Sequence, residues 1–465
     1  MQHIIAKAAF AAEFIHQIVW GPAMVAFMLF CGIWFSAGTG FFQLRKLALW
    51  LRSTLVAIFC SPAVHNKKDP HTISQFQAFA TALAGTLGTG NIVGVATAIT
   101  IGGTGAIFWM WVSAFFGMMT KYAENLLGNY YSRKNQDGSW FGGPMAYIER
   151  GLGCRWLALL FAAFCAVSSF GIGNMAQANS IAGALCPFGV PPFAAGIAVA
   201  VLTGMVILGG IKRIAAVTER LVPLMAVLYT CGGIIIIFLN RQRLPEAFAS
   251  IFSEAFAISP AAGGVAGFSV SRAMRFGVAR GIFSNEAGLG SSAIVNSASN
   301  VKEPVEQGMW GIFEVFADTI VMCSITALAI ITSQAHLLGV DGAEMSIAAF
   351  SSGFGSAGQV FVAVSITFFA FSTLLGWSYY GQQAVSYLLG PKSTRMYQRL
   401  FILMAAVGCV ARLEFVWGLS DTFNGLMAIP NLVAVLFLSK DVFSQTKNYL
   451  KQKSRPSQPP SSRSK

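Results

Sequence analysis

The sequence predicts an all-α polytopic membrane protein with about eleven transmembrane helices, and three observations carry that prediction. Of the 465 residues, 55% are hydrophobic and 11% charged, against roughly 25% charged in an ordinary soluble domain. A soluble fold so poor in charge could not cover its surface, and single cores stop growing near about 250–300 residues, so lipid must be the outer solvent. Apolar runs of about 20 residues, the length that spans a bilayer, recur along the chain. Lys and Arg gather in alternate loops between those runs, as on cytoplasmic faces.

The runs read by that rule are 15–38, 76–101, 104–128, 156–186, 190–210, 214–239, 260–300, 306–333, 356–389, 397–417 and 420–439. Residues 1–14 lack the basic n-region of a signal peptide and the run after them is too long for an h-region, so 15–38 reads as a true span. Residues 1–440 read as a single transmembrane domain. The tail 441–465, ending SRPSQPPSSRSK, reads as a disordered basic cytoplasmic segment.

Orientation follows from charge. Arg45, Lys46, Arg52, Lys67 and Lys68 lie in the 39–75 loop, and Arg133, Lys134, Arg150 and Arg155 in 129–155. Lys212, Arg213, Lys302, Lys392, Arg395, Arg399 and the tail fall on the same side if the spans alternate. The 334–358 loop opposite holds Asp341 and Glu344 and no Lys or Arg. The N-terminus is then outside and the C-terminus cytoplasmic. Arg272, Arg275 and Arg280 strain this map. Either they face protein or a water-filled cavity, or 263–280 is partly interfacial.

Two runs carry interruptions. In 76–101, Gly85, Gly88 and Gly90 fall mid-span, each costing about 1 kcal/mol in a helix interior. Unwound backbone at membrane depth is tolerated where it lines a cavity. The N–H groups of Thr89, Gly90 and Asn91 would open a second half-helix suited to a carboxylate. The freed carbonyls of Ala84 and Leu87 suit a small hard cation. The plainer alternative is close packing by small residues, but Thr86, Thr89 and Asn91 are not needed for packing. In 260–300, Ser284, Asn285 and Glu286 precede Gly288 and Gly290. A second half-helix would start near Glu286, unless SNEAG is a cytoplasmic loop with an ordinary N-cap. Five spans separate the two interruptions, so a repeat of that length is inverted, and paired interrupted helices in inverted halves point to a transport site. The repeats are 76–239 and 260–439, with 15–38 an extra N-terminal helix.

Other function classes fit poorly. The sequence has no GxxxxGK[ST] and no soluble nucleotide domain, which disfavours a pump. His3, His16, His65, His71 and His336 lie at termini, in loops or at a span edge, there is no HExxH, and the 8 Cys are scattered singly. An enzyme is therefore not expected, nor a resident metal or other cofactor. Nothing points to a symmetric pore ring, and the basic charge is explained without nucleic acid.

The stretches ALAGTLGTGNIVGVATAI at 82–99, GGTGAIFWMWVSAFFGMMTKYAE at 102–124, FGGPMAYIERGLG at 141–153 and GVARGIFSNEAGLGSS at 277–292 resemble the alanine or glycine:cation symporter family over about residues 15–440. The resemblance implies a LeuT-type 5+5 inverted repeat in the bacterial inner membrane. It implies sodium-coupled import, by alternating access, of a small neutral amino acid: alanine, glycine, D-alanine or serine. Proton coupling is the alternative, for which Glu286 is the one evident membrane-embedded relay. Carried over, the resemblance puts the substrate against Thr89, Gly90, Asn91, Gln177, Phe276, Gly277, Phe283 and Trp377. It puts sodium, a co-transported ion, at the carbonyls of Ala84 and Leu87 and the hydroxyls of Ser372 and Thr373. Read from the residues alone, Ser372 and Thr373 could equally bond the preceding turn's carbonyls, and Gln177 could join two helices.

Overall fold

The computed structural model describes residues 19–66, 72–134, 140–256, 265–299, 301–411 and 414–454. Among these the chain is almost wholly helical, apart from a short hairpin pairing Arg133–Lys134 with Trp140–Phe141.

The helices used below are α1 (Pro22–Gly38), α2 (Gln75–Thr86), α3 (Val93–Gly102), α4 (Ala106–Tyr130), α5 (Arg155–Phe170), α6 (Ala176–Leu185), α7 (Pro192–Ile207) and α8 (Gly210–Leu239). There follow α9 (Val265–Asn285), α10 (Ser291–Asn296), α11 (Pro304–Val315), α12 (Ser324–Thr332), α13 (Ala357–Leu389), α14 (Thr394–Val410), α15 (Glu414–Phe437) and α16 (Ser439–Ser454). Wide π-helical turns at Gly171–Met175 and Phe316–Cys323 join α5 to α6 and α11 to α12. Continuous stretches at Arg155–Phe188, Gly210–Leu239, Pro304–Thr332 and Ala357–Leu389 are long and apolar enough to cross a membrane. The runs holding α2 with α3, and α9 with α10, are each split by a break, which is why neither reads as one continuous span.

Helix α4 lies centrally, packed on α1, α9 and α11, while α13 packs on α2, α5 and α6. Without a hydrophobic force between helices in lipid, close approach through small residues holds such bundles together. A Cβ on Gly277 would stand 2.2 Å from the Ala106 carbonyl oxygen, and one on Gly376 2.8 Å from the Gly85 nitrogen. Gly376→Ala should therefore push α13 off α2 and cost about 1–3 kcal/mol. A thermal-unfolding midpoint equal to that of the parent protein would show that the helices have room to spare.

Two expectations need correction. The tail was expected to be disordered from residue 441, but α16 continues to Ser454. Its polar composition hides an apolar stripe: Val442, Thr446 and Tyr449, at helical spacing, are buried. Thr446 and Tyr122 of α4 share a hydroxyl hydrogen bond of 2.7 Å, and Tyr131 donates to Asp441 at 2.7 Å. Residues 455–465 lie outside the described set, as do 15–18 of the first expected run. In the seventh run the second half-helix begins at Ser291, not near Glu286. Ser284 and Asn285 close α9, and the unwound residues are 286–290. Glu286, Gly288 and Gly290 all take positive φ (55°, 99° and 75°). Glycine suits two of those positions; Glu286 holds a conformation that costs an ordinary side chain about 1–2 kcal/mol.

Candidate functional site

Helix α2 starts with a capping box: the Ser74 hydroxyl accepts from the Gln77 N–H and the Gln77 side chain accepts from the Ser74 N–H. It ends where Leu87 leaves helical geometry (φ −71°, ψ 84°). A single turn, Thr89–Asn91, precedes α3. The Asn91 side chain bridges this break. Its oxygen accepts from the Gly88 N–H at 3.1 Å and its nitrogen donates to the Asp318 carboxylate at 2.7 Å. Asp318, on the wide turn before α12, also accepts from Ser284 (2.9 Å) and Thr319 (2.7 Å). One fully buried carboxylate thus ties the first break to α9.

The second break is satisfied by buried side chains, as lipid requires. Lys121 donates to the Asn285 carbonyl at 2.9 Å and pairs with Glu314 at 3.1 Å. Asn431 donates to the Gly288 carbonyl at 2.9 Å and to Glu124 at 2.6 Å, and accepts from the Tyr147 hydroxyl. The Glu286 carboxylate accepts from the Trp377 indole N–H at 2.9 Å and from the Ser291 hydroxyl.

Between the two breaks lies a cavity of about 20 Å³, lined by Gly85, Thr86, Gly88, Gly90, Ile172, Gln177, Phe283, Glu286, Thr373, Trp377 and Asn424. That is room for about one water, so anything larger requires the walls to part. Its two sides differ chemically. On one side the break exposes the start of a helical turn, where the first N–H groups have no intrahelical acceptor. On the other stand the Glu286 carboxylate and Asn424, which is 1% exposed and whose side-chain oxygen has no hydrogen-bond partner. A buried acceptor left unmet demands an explanation, and a donor-bearing ligand in the cavity supplies one.

Beside Gly88 four oxygens converge. Thr373 Oγ1 lies 3.1 Å from the Ala84 carbonyl oxygen and 3.3 Å from that of Leu87; Ser372 Oγ lies 3.4 Å from both. Each hydroxyl has one proton to give, and for each the nearest acceptor is the Phe369 carbonyl, at 3.0 and 2.9 Å. With the protons placed there, the remaining contacts set lone pair against lone pair, an arrangement that a cation at their centre would relieve. Oxygens about 2.3–2.6 Å from one hard cation, at right angles, stand about 3.3–3.7 Å apart, close to what is seen. A Cβ on Gly88 would stand 2.7 Å from Thr373 Oγ1, so the approach needs glycine.

The structure therefore brings Gly90, Gln177, Phe283, Trp377 and Thr373 to one cavity and Ala84, Leu87 and Ser372 to its edge. Thr89 touches it indirectly, its hydroxyl 3.4 Å from Gln177 Oε1. Gln177 is turned inward by the wide turn at Gly171–Met175, donating to the Ile172 carbonyl at 3.1 Å. Three expected residues lie elsewhere. Asn91 faces Asp318. Gly277 packs on Ala106 and Trp109. Phe276 lines a different cavity, two turns above Phe283. Asn424 and Ile172 are cavity residues the sequence reading missed, and Thr86, singled out there only as not needed for packing, also lines the cavity. Asn424 could have been flagged as an amide inside the 420–439 run.

Comparison with known proteins gives the family. A profile described as "Sodium:alanine symporter family" matches residues 6–463. The chain is 43% identical to the sodium/alanine symporter AgcS of Methanococcus maripaludis, over 94% of this chain and 96% of that one. It is 38% identical to the probable sodium/glutamine symporter GlnT of Bacillus subtilis, over 97% and 91%. In fold it is similar to a Na+-coupled sialic acid symporter in its substrate-bound outward-open state, with TM-score 0.51, 13% identity, and coverage of 93% of this chain and 85% of that one. The protein is a multi-pass membrane transporter and not an enzyme, and it belongs to the sodium:alanine symporter family.

Proposed function

We propose that the protein imports a small neutral amino acid together with sodium by alternating access. Eleven spans would be arranged as the inverted repeats 76–239 and 260–439 behind an extra N-terminal helix, in a bacterial inner membrane. The observation that carries this is the break after Leu87. It sets the four-oxygen cluster and the small cavity side by side on the same few residues. The substrate carboxylate would sit on the N–H groups of Thr89 and Gly90, and its ammonium would meet Asn424 and Glu286. Phe283, Trp377 and Gly90 line the cavity, and a Cβ on Gly90 would already stand 3.4 Å from the Phe283 ring, so even with the walls parted only a short side chain would be taken. Alanine, glycine, serine or D-alanine fit this description. Sodium among Ala84, Leu87, Ser372 and Thr373 would draw α2 to α13 and favour closure when both solutes are bound. Asn91 acts through Asp318 as a positioning residue.

Proton coupling is the second reading, favoured by one observation: Glu286 is a buried carboxylate in the cavity wall. The test is uptake of radiolabelled alanine into proteoliposomes under an inward sodium gradient, with a proton gradient alone in parallel. Concentrative uptake that requires sodium supports symport. Uptake driven equally by protons would move the coupling to Glu286, and no uptake of any small amino acid would overturn the substrate reading. The substitution Asn424→Leu should raise the KM for alanine at least about tenfold, the loss of a hydrogen bond to a charged group. An unchanged KM would remove Asn424 from the ammonium site.

A further inference from the structure

Two of the three arginines of the seventh run, Arg275 and Arg280, line a second cavity, on the side of the bundle where α1 begins. It measures about 60 Å³ and is lined by Trp20, Arg275, Phe276, Ala279, Arg280, Phe283 and Asp421. Phe283 is shared: it walls both this cavity and the one between the helix breaks. Arg280 lies over the Phe283 ring, its guanidinium carbon 5.5 Å from the centroid. Arg275 lies 5.8 Å from the Phe276 centroid and donates to the Trp20 carbonyl at 3.3 Å. Trp20 in turn donates to the Asp421 carbonyl at 3.1 Å. Two guanidiniums are thus held in a partly apolar cup, each presenting a planar fork that matches a carboxylate. Charges at membrane depth are kept where they line a substrate path.

We propose that this cavity is an outer capture site, in which Arg275 and Arg280 hold the carboxylate of an incoming amino acid above Phe283, before that ring moves and the solute drops to the inner site. The inference rests on the transport reading above. Because Arg280 stacks on Phe283, taking a carboxylate from above pulls on the ring that must swing aside.

The test uses the full-length protein in phosphatidylcholine vesicles with a sodium gradient, and propionate, a carboxylate without an amine, as probe. Propionate at millimolar concentration should inhibit alanine uptake competitively. Arg280→Gln should abolish that inhibition and raise the KM for alanine about tenfold, the loss of one charge-assisted contact, with maximal rate within about twofold. Arg280→Lys should restore part of both, which a merely structural role would not predict. Alanine uptake whose KM and propionate sensitivity ignore Arg280 would overturn the capture site and leave symport standing. Arg280-dependent binding of radiolabelled propionate, without uptake of any amino acid, would do the reverse. An effect of Arg280→Gln seen in vesicles containing phosphatidylglycerol but not in pure phosphatidylcholine would assign the pair to lipid phosphate and overturn the proposal.

Discussion

Thr373→Ala is expected to abolish sodium-driven accumulation of alanine while leaving the protein folded. Thr373 Oγ1 is closest to the α2 carbonyls, 3.1 Å from Ala84 O and 3.3 Å from Leu87 O, and it also touches the Gly88 turn. Removing it takes one of four ligands from the proposed cation and the one that reaches both helices most closely. One sodium per neutral zwitterion carries one charge, worth about 2.3 kcal/mol at 100 mV, or roughly 50-fold accumulation from the membrane potential alone. In Thr373→Ala that ratio should fall toward one. Thr373→Ser keeps the hydroxyl and should keep most of the accumulation. Ser372→Ala should weaken it less than Thr373→Ala does, because both Ser372 contacts are 3.4 Å. The measurement is steady-state alanine inside vesicles against external sodium at a clamped potassium diffusion potential. A Thr373→Ala protein with the parent's sodium dependence would mean that the hydroxyl only bonds the Phe369 carbonyl.

The first break was legible because its evidence is local. Three glycines in six residues unwind a helix whatever surrounds it, and Ala84 and Leu87 are the carbonyls such a break frees. Ser372 and Thr373 came from the family resemblance; the residues alone allowed equally that they bond the preceding turn's carbonyls. The second break was harder. Between Ser284 and Gly290, Ser284, Asn285, Gly288 and Gly290 all favour a turn, and a shift of one turn changes which face of α9 meets the cavity. The resemblance offers Phe276, Gly277 and Phe283 alike, whereas the helix runs on to Asn285 and only Phe283 becomes the wall. Asn424 could not be placed by pattern, since which side of a span faces the site depends on packing against α5. Glu314 and Asp318 are carboxylates inside an apolar run, a readable signal, but their partners Lys121 and Asn91 come from distant spans. The C-terminal helix was obscured by composition, because the Lys and polar residues on its outer face outweigh the buried Val442, Thr446 and Tyr449.

Lys121→Met is expected to destabilise the protein by about 3–5 kcal/mol, the cost of leaving one member of a buried ion pair alone. Lys121 and Glu314 are essentially inaccessible, at 0% and 1% exposure, so neither charge can recover water. Lys121 also donates to the Asn285 carbonyl, the last residue of α9, where a cation suits the negative end of the helix dipole. Removing it strips that carbonyl of its partner and frees the break to rearrange. The double substitution Lys121→Met/Glu314→Gln separates the two effects. It removes the stranded charge and should recover much of the loss, leaving about 1–3 kcal/mol for the unmet Asn285 carbonyl. The residual should show in function as well, since Asn285 precedes Glu286, which holds Trp377 over the cavity at 2.9 Å. Thermal unfolding of the purified single and double variants, with alanine uptake beside it, gives both numbers. If the single and double variants melt together, the Glu314 charge is tolerated by other means, and the role of Lys121 reduces to capping α9. If Lys121→Met melts with the parent protein, the second break is held by Asn431 and its partners instead, and the ion pair is incidental to it.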